Sequence, residues 1–64
     1  MARLVTTPNI PDPDGFYAEL VAVHDGLSAE RSAALNARLI LLLANQIGDR
    51  AVLSDAIAAA AKTG

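Results

Sequence analysis

The sequence predicts an all-α fold: a small three-helix bundle with a long central helix and an extended N-terminal arm. Three observations carry this expectation. Apolar residues recur at three- and four-residue spacing in three segments. A residue suited to capping a helix N-terminus precedes each segment: Asp12, Ser28 and Asp49. Gly26 and Gly48 follow the first two segments, where a left-handed residue commonly ends a helix. No strand signal and no internal repeat is present. Residues 1–11 are read as the arm and residues 12–64 as one helical domain.

In the arm, Pro8 and Pro11 push Thr7 and Ile10 away from helical backbone angles. Leu4, Val5 and Ile10 give it apolar side chains, and Ile10 is placed to staple the first helix. That helix is expected over about residues 13–25. Asp12 caps it, Pro13 suits its first position, and Asp14 faces the positive end of its dipole. Phe16, Leu20 and Val23 share one face, with Tyr17, Val21 and His24 beside them. The second helix is expected over 29–47, roughly 28 Å long. Ser28 caps it, Glu30 suits its first turn, and Gly48 ends it. The third is expected over 50–61, starting from Asp49, with Leu53, Ile57 and Ala60 as its apolar stripe. The run Ala58–Ala61 favours helix and carries no chemistry.

The second helix holds most of the information. On a helical wheel Leu35, Leu39 and Leu42 fall together, and Ile40, Leu43 and Ile47 lie about 100° away. Ala33, Ala37 and Ala44 continue the arc, and only Arg38 and Asn45 form a polar strip, with Leu41 beside them. One neighbouring helix needs an apolar stripe of little more than about 100°, and this one is roughly twice as wide. Asn36 and Gln46 sit on or next to the arc, where a polar group can fix register or reach solvent at the rim.

The remaining chain has little with which to cover that arc. Of 64 residues, 53% are hydrophobic, but 14 are alanine and the aromatic residues are one Phe and one Tyr. Domains this small are marginally stable, and many rely on oligomerisation. With no cysteine, a disulfide or thiolate metal site is impossible. The net charge of −2, with Arg3, Arg31, Arg38, Arg50 and Lys62 scattered, argues against nucleic acid as a partner. No signal-peptide core is visible, and no strictly apolar run exceeds the six residues Leu39–Ala44. A membrane span needs about 20, so a cytoplasmic protein with no membrane partner is expected.

Candidates for chemistry are few. His24 is the only histidine, and a cation near the end of the first helix is favoured by the dipole. His24 with Asp25 is too small a ligand set for a metal, and Asp12, Asp14 and Asp25 lack EF-hand spacing. Ser28, Ser32 and Ser54 have no local base, and Gly48 stands outside any phosphate-binding loop. The expectation is therefore a non-enzyme with no catalytic, cofactor-binding or metal site and no cofactor.

Two segments carry a resemblance. Residues 8–17, Pro-Asn-Ile-Pro-Asp-Pro-Asp-Gly-Phe-Tyr, and residues 33–49, Ala-Ala-Leu-Asn-Ala-Arg-Leu-Ile-Leu-Leu-Leu-Ala-Asn-Gln-Ile-Gly-Asp, resemble a family of short bacterial, mostly proteobacterial, proteins classed as a domain of unknown function. The likeness spans about Thr7 to Ala60, and the leucine-rich segment is its more specific part. The resemblance brings no reaction and no catalytic residue. It implies an accessory subunit or companion of flavin-dependent aromatic hydroxylases or related ring-degradation enzymes.

The functional expectation is a protein–protein interaction module. Its partner would be another protein chain, either a larger metabolic enzyme or a second copy forming a homodimer through the second helix. The expected interface comprises Ile10, Leu35, Leu39, Ile40, Leu43 and Ile47. The alternative is a binder of apolar or aromatic metabolites using Tyr17, His24, Asn36 and Gln46.

Overall fold

The computed structural model describes residues 3–63, so Met1 and Ala2 of the expected arm and Gly64 lie outside the described residues. Among the described residues there are three helices and no strand: α1 (Pro13–His24), α2 (Ala29–Ile47) and α3 (Arg50–Thr63). Against the ranges expected from sequence, α1 stops one residue sooner and α3 runs two residues further. The α3 extension follows from the alanine run and Lys62, which suit a helical last turn.

Local chemistry sets each boundary. Asp12 takes a left-handed backbone (φ 54°, ψ 59°), which Asp tolerates better than most residues. Its carboxylate accepts the Gly15 N–H at 3.1 Å, and its carbonyl accepts the Phe16 N–H at 3.1 Å. A Cβ built on Gly15 would lie 2.7 Å from the Asp12 carboxyl carbon, so the cap needs glycine three residues on. Beyond α1, Gly26 turns left-handed (φ 78°) and the Leu27 N–H donates to the His24 carbonyl at 3.1 Å. Ser28 Oγ accepts the Arg31 N–H at 3.2 Å and opens α2. Gly48 (φ 70°) closes it, donating its N–H to the Ala44 carbonyl at 2.9 Å. Asp49 starts α3 at once: its Oδ1 accepts the N–H groups of Ala51 at 3.0 Å and Val52 at 3.1 Å.

Packing is sparse. Val52, 9% exposed, is the one buried residue among those described. Leu20, His24, Leu27, Leu35 and Leu39 are half-buried around α1 and α2; Ala44, Asp49, Leu53 and Ala56 are half-buried around the α2–α3 turn. Of the described arm residues only Leu4 is half-buried; Ile10 stays exposed and packs as no tight staple. The radius of gyration is 13.3 Å, against roughly 11 Å for a compact chain of this length.

Candidate interaction surface

Two apolar surfaces meet along α2. The first is a groove between α1 and α2, with a volume of about 340 Å³. Phe16, Leu20 and Val23 line it from α1; Leu35, Leu39 and Leu42 line it from α2, with Glu19 and Arg38 among the lining residues. The 3.6-residue repeat places each triplet on a single face, so the two triplets line the same cleft. Leu20, Leu35 and Leu39 are half-buried there, whereas Phe16, Val23 and Leu42 are exposed.

The second surface is a seam on the adjoining face of α2. Ala33, Asn36, Ile40, Leu43 and Ile47 follow one another at intervals of three, four, three and four residues. That is the spacing of helices that pack along their length against another helix. None of the five is covered: Ile40 is 63% exposed, Leu43 47% and Ile47 52%. Leu41 and Leu42 are exposed as well, and Leu41 shares a shallow depression with Arg38, Leu42 and Asn45 on the far side of the helix.

The six residues expected at an interface thus occupy three places. Leu35 and Leu39 lie in the α1–α2 groove, Ile40, Leu43 and Ile47 on the open seam, and Ile10 on the exposed arm.

At the far end of the α1–α2 contact stands a polar clamp. His24 Nδ1–H donates to the Leu20 carbonyl at 2.7 Å, one turn back on α1. His24 Nε2 lies 2.8 Å from Asn36 Oδ1 on α2, within hydrogen-bond distance. The carbonyl bond requires the proton on Nδ1. A neutral ring then leaves Nε2 an acceptor, which the Asn36 amide satisfies by turning its nitrogen inward. Either orientation ties the end of α1 to the seam side of α2. The sequence places His24 at the end of α1, but it gives no sign of Asn36, twelve residues away.

The four polar residues considered for ligand binding do not converge. His24 and Asn36 are bonded to each other; Tyr17 shares a shallow outer surface of α1 with His24; Gln46 lies ten residues along α2 from Asn36, about 15 Å by helical rise. Among the described residues no group of three or more His, Asp or Glu is placed to hold a metal ion. No helix there is long and apolar enough to cross a membrane.

The sequence profile of a protein family of unknown function, DUF2783, matches residues 4–62. The chain belongs to the DUF2783 family. The matched span takes in all but the last residue of the three helices, the described arm from Leu4 onward, and both segments quoted for the resemblance. No curated protein and no solved structure matches this DUF2783 chain.

Proposed function

We propose that this DUF2783 chain is a non-enzymatic protein–protein interaction module, whose apolar helical surface is completed by another polypeptide. One observation supports this reading most. The chain exposes 5636 Å². A compact monomer of 6.6 kDa would expose about 3,900 Å². The difference, about 1,700 Å², is accompanied by a row of uncovered aliphatic side chains on α2. Contiguous apolar surface beyond a few hundred Å² marks an interaction site in a soluble protein. An accessory subunit of a larger metabolic enzyme and a self-paired chain both satisfy that requirement.

The test is whether the isolated chain is a finished fold. Hydrogen exchange and thermal unfolding, followed by circular dichroism at high dilution, should show fast exchange along α2 and a broad transition. A dilute monomer with protected α2 amides and a sharp transition would overturn the reading.

A second reading rests on the α1–α2 groove. Its volume of about 340 Å³ is at the lower end of the range for small-molecule sites, and its walls are apolar. Saturable shifts of Phe16 and His24 ring signals with aromatic metabolites would favour it.

A further inference from the structure

We infer that the open seam of α2 pairs with the same seam of a second copy of this chain. This rests on the interaction reading above and gives its partner. A standard interface takes about 800 Å² from each partner. The chain as a whole exposes about 1,700 Å² more than a compact monomer of its mass, and the uncovered Ile40, Leu43 and Ile47 are part of that surface.

The pattern decides the partner. Ile40 and Ile47 stand at one position of the three–four repeat and Leu43 at the other. β-Branched side chains alternating with leucine in that order form a self-complementary, two-stranded seam. Ala33 and Ala37 keep one flank small, so two backbones can approach closely. The seam itself carries no charged residue, so identical surfaces meet without repulsion. The Ile-then-Leu order is that of parallel pairs, in which a two-fold axis along the helices sets each seam residue, Ile40 included, against its own copy.

Sedimentation equilibrium of the full chain across a wide concentration range tests this. The expected mass is twice 6.6 kDa at high concentration. Leu43→Asp should weaken association by about a hundredfold or more, because it buries a carboxylate in the seam. Leu41→Asp, on the far side of α2, should leave it intact. Because Leu43→Asp could also unfold α2, Ile40→Cys gives an independent measure. The natural chain has no thiol, so oxidation should convert this variant, and not Leu41→Cys, into a covalent dimer. A dimer broken by Leu41→Asp but not by Leu43→Asp refutes the seam. A monomer lacking a sharp unfolding transition refutes self-pairing and leaves the interaction reading standing, with a different protein as partner. A monomer with a sharp transition refutes both.

Discussion

Gly15 is a helix residue that should resist the substitution that normally stabilises helices. Replacing an exposed helical glycine by alanine gains up to about 1 kcal/mol. At Gly15 the new methyl would fall on the Asp12 carboxylate, 2.7 Å from its carbon, and displace it from the Gly15 N–H. Losing such a cap costs about 1 kcal/mol, so Gly15→Ala alone should leave stability unchanged or slightly reduced. The background Asp12→Gly removes the carboxylate and suits the left-handed backbone at φ 54°. In that background Gly15→Ala should recover its full gain. The coupling across the cycle is then about 1 kcal/mol, or roughly 4–8 °C in a domain of this size. Thermal unfolding of the four proteins at one fixed chain concentration measures it. If Gly15→Ala raises the melting temperature equally with and without Asp12, the carboxylate does not occupy the space above Gly15 and the account of the α1 start is wrong.

Two further outcomes follow from the caps and the clamp. Asp49→Ala leaves the Ala51 and Val52 amides without their acceptor and should lower stability by about 1–2 kcal/mol, with Asp49→Asn restoring most of it; equal losses for both would show that the side-chain oxygen is not the acceptor. Asn36→Ala should move the His24 ring signals in NMR spectra and lower stability by no more than about 1 kcal/mol, because the bond is exposed; unmoved signals would mean that the α1–α2 clamp is not formed in solution.

The parts of this fold legible in the sequence are those decided within four residues. Asp12, Ser28 and Asp49 each satisfy amides two or three positions ahead, and Gly26 and Gly48 take the left-handed angles their positions imply. Such bonds depend on the local chain alone. The steric demand on Gly15 is equally local, and its signal is a glycine three residues after a capping aspartate. The His24–Asn36 bond was not legible, because it depends on how α1 lies against α2, which no spacing rule specifies. The division of the apolar arc was partly legible. The wheel separates Leu35, Leu39 and Leu42 from Ile40, Leu43 and Ile47, but only the structure shows that α1 lies along the first set.

The sparse packing also bears on how the lone chain should melt. Denaturant slopes and unfolding heat capacities both scale with the area newly wetted on denaturation. An extended chain of this mass presents about 9,600 Å², so the solitary molecule has only some 4,000 Å² to wet, where a compact one would have nearly 6,000. Its transition should be shallow and its calorimetric signature small. Steepness would then arrive with association, and dilution alone would be enough to soften the fold.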